Sequence, residues 1–504
     1  MAVLAPLLYA SISSTSCQMP VLSALAALVT LIVYRAINAF YYSRFRHIPG
    51  SPISRITAKR AEVCTILGKM SRLGRHDFEK YGDIFVLTPD SICISNPRDI
   101  RALLANPTTA KSSYYNILRF TGIDNTVSAQ DIELANTRHR QIGPFFKPTY
   151  LAKMEHIIIK HGIEAIKAKW DRAIADSAHG VAEVNFGHDF LLAAFDIIGT
   201  LVCGQPINQK TAQWIDTTLT CIGIRSMVQL VLPFTWPLDS RYNQLSDYIH
   251  KAIHRRREYL ANGNPKPADL LQAFIDAEDP QSKVQMSHDQ IHGECMLMMM
   301  AGSDTTSHTI SWTVHFLMLY PHHYQRAKDE VQGKVTITYS DCRAHLPFIE
   351  ACIFESLRLA PVTGGLLPRK APQGGIYVQG HFIPEGTTIF VNLAAANHHP
   401  EYWQHPHEFN PLRFIENSDL KHNVLTFSHG RRTCPGKHLA MWEMTTILAN
   451  IIKDYDMRLP PDLTHLGPHI LNKHGYPRPM DSQQYIVVKP VDAQRDCRIL
   501  ISKR

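Results

Sequence analysis

The chain has 504 residues, 45% of them hydrophobic and 19% charged, which is enough apolar material for a large packed core and excludes general disorder. Lys+Arg exceed Asp+Glu by 52 − 44 = +8, but the longest block of like charge is Arg255-Arg256-Arg257, too short for a nucleic-acid arm. Ten cysteines are too dilute for a disulfide scaffold, and none fall in the C-x-x-C spacing of a zinc knuckle, so reduced and mostly buried thiols are expected.

In chain order, residues 1–19 form a short leader to an apolar run over 20–42, long enough for a single membrane span. No Lys or Arg precedes Arg35, whereas Arg44, Arg46, Lys59 and Arg60 follow the run. The positive-inside rule places the amino terminus outside the cytosol and the rest of the chain inside it. A cleaved signal peptide would need a basic n-region, which is missing. Residues 43–52 contain His47-Ile-Pro-Gly-Ser-Pro52, a stiff Pro/Gly hinge, and 53–504 are expected to be one cytosolic body with no later span.

Short strands are predicted at Ile84–Leu87 and Ile92–Ile94. A long proline-free helix should begin at the cap Ser287 and stop before Pro321, and a second helix should run from Pro347 to Leu359. Strand and turn signals follow at Ile376–Val378 and Ile389–Val391, then an irregular Pro-rich stretch over 400–414, a Gly/Cys loop, and a helix from Lys437. The fold class is mostly α with a minor β part.

Phe427-Ser-His-Gly-Arg-Arg-Thr-Cys-Pro-Gly436 spells F-x-x-G-x-R-x-C-x-G. Glycines at 430 and 436 allow tight turns that bring amide N–H groups toward a sulfur, and a helix starting just after Cys434 aims its positive end at a thiolate and should lower its pKa. Ala301-Gly-Ser-Asp-Thr-Thr306 lies midway along the long helix, where Gly302 costs about 1 kcal/mol relative to alanine and so needs a reason. Glu355-Ser-Leu-Arg358 puts an acid and a base on one helix face. His288 and His292, at i and i+4, have a zinc-like spacing, but Asp289 is too short to serve as the acid of a zinc protease.

With these motifs the chain resembles the cytochrome P-450 family from the apolar run to the carboxyl terminus. The resemblance implies haem b with Cys434 as axial ligand of the iron, and Phe427, Gly430 and Gly436 shaping the loop around it. It implies Arg432, Arg369 (in Pro368-Arg369) and Arg138 (with Leu134 where the family carries tryptophan) on the haem propionates. Asp304 and Thr305 become a proton relay beside a locally opened helix, and Glu355, Arg358 and Arg413 a structural triad, with Leu412 where the family usually has glutamate. The implied activity is insertion of one oxygen atom from O2 into a lipophilic small molecule, with electrons from NADPH through a cytochrome P-450 reductase docking near Arg431, and with cytochrome b5 as a second donor. The implied location is the endoplasmic-reticulum membrane. His47–Pro52 and Arg369-Lys-Ala-Pro-Gln-Gly-Gly375 resemble fungal enzymes of secondary metabolism, which points to a terpenoid, polyketide or alkaloid substrate. The substrate pocket is expected from 114–123, 298–301 and 362–366. The rival reading is a non-oxygenating haem-thiolate isomerase or a haem-binding sensor; such proteins usually lack the Asp304–Thr305 pair.

Overall fold

The computed structural model describes residues 22–207, 209–225, 239–364 and 366–504; the leader 1–19 and the start of the apolar run lie outside the described residues. Leu22–Tyr42 is a helix with mean hydropathy 1.7 and almost no buried surface. Leu22, Leu28 and Ile32 are each at least half exposed. So much apolar surface with no partner element has the character of a bilayer span. The hinge behind it is docked: Phe45 and Ile48 are buried, Val86 N–H donates to Pro49 O at 2.8 Å, and Arg55 donates back to Phe45 O at 3.2 Å.

Phe186–Cys203 is also long and apolar enough to cross a membrane, with mean hydropathy 1.5, contrary to the expectation that no later segment reaches that length. Burial decides its role, because two thirds of it is inside the protein. Asn185 caps its start by accepting from His188 N–H, and Gly204 ends it in the left-handed region at φ 73°.

It packs against the central helix, His288–Leu319, which is about 48 Å long at ~1.5 Å per residue. Ser287 and Gln290 close a capping box at its start, and the helix is buried on all sides. Six hydroxyls on it (Ser303, Thr305, Ser307, Thr309, Ser311 and Thr313) donate to the carbonyl four residues earlier, at 2.7–3.1 Å. Buried hydroxyls left unpaired would each cost a desolvation penalty, so this pattern lets a polar stripe sit in the core. Gly302 has its own explanation: a Cβ there would come within 2.8 Å of Ile198 Cδ1 on the neighbouring helix. The helix is continuous through this point, so the glycine serves close helix packing rather than the expected local opening.

The β part flanks this helical core. In a four-stranded sheet Ile84–Thr88 pairs antiparallel with Ser91–Ile94, which pairs parallel with Thr388–Asn392, which pairs antiparallel with Leu366–Lys370. The last pairing sets Arg369 opposite Ile389 and so fixes the arginine in the sheet. A three-stranded sheet joins Val181–Asn185, Arg498–Lys503 and Tyr455–Arg458, tying the carboxyl terminus to the helical core.

The helix Pro347–Leu359 carries a fully buried ion network. Glu355 accepts from Arg358 at 2.7 and 2.8 Å, from Arg413 at 3.1 Å and from Asn410 N–H at 2.9 Å. Arg358 also donates to the carbonyls of Asn397, Pro406 and Glu408, pinning the irregular stretch that precedes the cysteine loop. Arg413 Nη2 is buried with no acceptor among the described residues. Without Arg358, Glu355 would keep one cation, Arg413, and the carbonyls of Asn397, Pro406 and Glu408 would lose a buried donor. Arg358→Met should therefore lower stability by about 3–5 kcal/mol in urea unfolding; a loss under about 1 kcal/mol would place the network among dispensable ion pairs.

Candidate cofactor and active site

The cysteine loop is built from two tight turns. Leu425–Phe427 and Gly430–Arg432 each form a short 3-10 turn, with Ser428 between them at φ 63°. Gly430 has φ 71°, and a Cβ there would lie 2.5 Å from Leu104 O, so both backbone shape and packing demand glycine. Gly436 is different: its φ is −75°, and a Cβ would make only ordinary contact with Cys434 Sγ at 3.8 Å. No backbone constraint requires glycine at 436, contrary to the expectation of a second turn glycine. Cys434 N–H donates to Phe427 O at 2.9 Å, and the helix Lys437–Asp454 starts directly after the loop.

Cys434 is the one exposed cysteine among the described residues, yet burial pushes its thiol up. The two facts agree if the surface it exposes faces an interior space rather than bulk water. The backbone N–H groups of Gly436 and Lys437 and the Lys111 ammonium pull the thiol the other way. They do not prevail, so the expected lowering by the helix terminus is outweighed by desolvation. A cation at the sulfur would restore the thiolate.

Three further cations lie around this space. Arg369 comes from the four-stranded sheet, Arg432 from the cysteine loop, and Lys111 from the segment bridged to Arg369 by backbone pairing. Lys111 and Arg369 are buried, and Arg432 nearly so. Lys111 Nζ donates to Val127 O at 2.7 Å and lies 4.5 Å above the Tyr115 ring; Arg369 donates to Tyr115 Oη at 3.1 Å; Arg432 donates to Ala129 O at 2.8 Å. None of the three forms an ion pair among the described residues, and Arg432 Nη1 is buried without an acceptor. Burial, with repulsion from Arg369 and Arg432, pushes Lys111 well down; burial and Arg369 bring Arg432 to about 10. Three neighbouring cations with neutral acceptors only are a site for a ligand with two negative charges. Two propionates on a ring whose iron meets Cys434 fit this donor set.

The helix Ile132–Ile142 corrects one assignment. Arg138 is buried, donates to Gln141 Oε1 at 2.6 Å and stands 3.9 Å from Glu294 Oε1 on the central helix, turned away from the cation group. Glu294 accepts from Thr126 N–H and Oγ1, and burial raises it to about 7. Arg140 pairs with Asp279 at 2.7 Å. His139 is the residue of this helix that feels the group: burial, Arg432 and Lys111 together push it down to about 4. Lys111 and His139 went unseen in the sequence because no motif marks them, whereas Tyr115 falls in the expected pocket segment 114–123.

An apolar cavity of about 310 Å³ adjoins Tyr115 and Pro368. Its walls include Tyr114, Phe120, Leu297, Met300 and Ala301, and Ala301 is exposed in the middle of an otherwise buried helix because it faces this space. The expected segments contribute to the lining, and so do Leu219, Phe390 and the turn Gln484–Val487, which have no sequence signature. Thr305 lines the cavity, with Oγ1 donating to Ala301 O at 2.8 Å. Asp304 beside it is buried, only 3% exposed, and is not part of the lining. His288 and His292 pack with His250, His288 Nε2 lying 3.1 Å from His250 Nδ1, while His292 Nε2 meets Ser246 O at 3.0 Å.

The cation group yields a two-sided prediction. Lys111→Met should stabilise the haem-free protein by on the order of 1 kcal/mol while speeding haem loss to a scavenger about tenfold. Haem loss at the wild-type rate would remove Lys111 from the propionate site.

Comparison with known proteins agrees with this geometry. The family model "Cytochrome P450" matches residues 67–474. A cytochrome P450 monooxygenase of Aspergillus fumigatus, helB1, is 40% identical over 96% of this chain and 86% of its own length. A second from the same organism, helB2, is 40% identical over 95% of this chain and 98% of its own. The crystal structure of the cytochrome P450DA heme domain superposes with a TM-score of 0.74 at 20% identity, covering 91% of this chain and 97% of that one, a likeness of fold. The cysteine loop, the buried Glu355 network and a family match over most of the length lead to one conclusion: this chain belongs to the cytochrome P450 family and is a monooxygenase of that family.

Proposed function

We propose that the chain is a membrane-anchored haem-thiolate monooxygenase that inserts one atom of O2 into a lipophilic small molecule. The observation that carries this reading is a group of cations with no ion-pair partner among the described residues, Lys111, Arg369 and Arg432, of which Lys111 interacts with both arginines and with the Cys434 thiol. Bound there, haem supplies the activation of O2 for attack on an unactivated C–H or C=C bond. Cys434 would supply a thiolate to the iron, and the N–H groups of Gly436 and Lys437 would moderate its charge. Phe427 and Gly430 shape the loop, and Arg432, Arg369 and Lys111, with His139 in the place first given to Arg138, hold the carboxylates. Thr305 holds a proton at Oγ1 on the cavity wall, and Asp304 resupplies it from the buried side. The apolar walls exclude water and favour a lipophilic substrate. Relatives of fungal origin support a secondary metabolite such as a terpenoid, polyketide or alkaloid.

The helix Leu22–Tyr42 supports a single anchor over 20–42 in the endoplasmic-reticulum membrane, with the hinge 43–52 and a cytosolic body over 53–504. Electrons then come from NADPH through an acidic flavoprotein reductase, for which the exposed Arg431 beside the cysteine loop is a contact. Turnover with the reductase should fall as salt rises.

Cys434→Ala should abolish both the red-shifted Soret band of the reduced CO complex and NADPH-dependent turnover. Thr305→Ala should keep haem and that band but divert most reducing equivalents to hydrogen peroxide. Wild-type coupling in Thr305→Ala would end the relay assignment, and no NADPH consumption by the wild type with reductase would favour a non-oxygenating haem protein.

A further inference from the structure

A second cavity, of about 420 Å³, lies behind a hydrogen-bonded wall of the first. Ser71 faces it and donates to Gly364 O at 3.2 Å; Ser71 also bonds Gln484, which faces the apolar cavity. One side of this second space is apolar, formed by Trp312, Phe316 and Tyr320 from the end of the central helix and by Pro361. The opposite side is basic. Arg75 projects from the helix Met70–Tyr81, and His398, His407 and His474 converge with it.

The other charges there are already engaged. Arg72 pairs with Asp481 at 3.1 Å, and Glu79, the one carboxylate in the lining, faces Lys473 at 3.6 Å. Arg75 has neither hydrogen bond nor ion pair among the described residues; burial and the neighbouring Arg72 lower its pKa, and Glu79 raises it. The rings of His407 and His474 stack at 3.6 Å with 9° between planes, and His398 lies 5.4 Å from His407. Burial pushes His407 down to about 4, with His474 and Arg75 adding to it. An oxyanion beside the guanidinium would offset the effect of Arg75 on His407 and favour its protonated form.

We propose that this cavity binds an amphipathic organic oxyanion, a phosphate or carboxylate on an apolar body. Arg75 takes the oxyanion in its planar fork, His407 flanks it, and Trp312 and Phe316 hold the apolar body. The space exceeds what a bare inorganic ion fills, and its apolar wall would otherwise have no purpose opposite a guanidinium.

The test is a calorimetric titration of the full-length holoenzyme with phenyl phosphate, inorganic phosphate and phenol at constant ionic strength, on wild type, Arg75→Gln and Arg75→Lys. Phosphatidylcholine vesicles with and without phosphatidate form a further arm. Phenyl phosphate should bind more tightly than either fragment, about tenfold more weakly to Arg75→Gln, and with partial recovery in Arg75→Lys. Arg75-dependent binding of phosphatidate vesicles in place of phenyl phosphate would support the site and identify the oxyanion as a lipid head group. Equal binding to wild type and Arg75→Gln, or no binding of any probe, would overturn the proposal. An unchanged CO spectrum in both variants shows that they are folded.

Discussion

Lys111, Arg369 and Arg432 repel one another where little water remains to screen them, and this repulsion organises the site. Each is brought there by a different part of the fold: a loop segment, a sheet strand and the cysteine loop. Their hydrogen-bond acceptors among the described residues are all neutral, and burial together with this repulsion pushes Lys111 well down and brings Arg432 to about 10. A dianionic ligand that removes that repulsion binds the folded state alone, so its binding energy becomes folding energy. The Glu355 network shows the opposite solution. There the acid is built into the chain, the carboxylate contacts are made within the protein, and the outcome is a pinned backbone rather than a ligand site.

Much of the architecture was legible in the sequence because its signals are local. Ser287 with Gln290 and then Pro321 bracket the central helix, and Pro347–Leu359 appears with the bounds read from its prolines. The cysteine loop was legible because Gly430 meets a steric limit at Leu104 O that other residues would violate. The triad with Arg413 was legible too, because Glu355 and Arg358 share one helix face; the unpaired Arg413 Nη2 was not.

What stayed hidden depends on contacts distant in sequence or on the phase of a helix. Arg138, His139 and Arg140 are three consecutive polar residues, and their composition does not show which faces the cations; the structure sends them to three different partners. Gly302 looked like a hinge, but its neighbour Ile198 lies on a helix about a hundred residues earlier. The cavity turn Gln484–Val487 has no periodicity or motif to reveal it. Phe186–Cys203 passes every length and hydropathy test for a span, and only its burial assigns it to the core.

The hydroxyl stripe of the central helix bears on timing. Thr305 has one proton on Oγ1, and it is committed to Ala301 O, while the Thr305 carbonyl accepts from Thr309 Oγ1. In its proposed role the hydroxyl must release that bond, by turning about Cβ–Oγ1 or about χ1, before it can donate into the cavity. A net hydrogen bond of this kind is worth roughly 1 kcal/mol. On that reading the resting relay is a closed valve held by a small latch, and proton entry waits on the turn of a single hydroxyl.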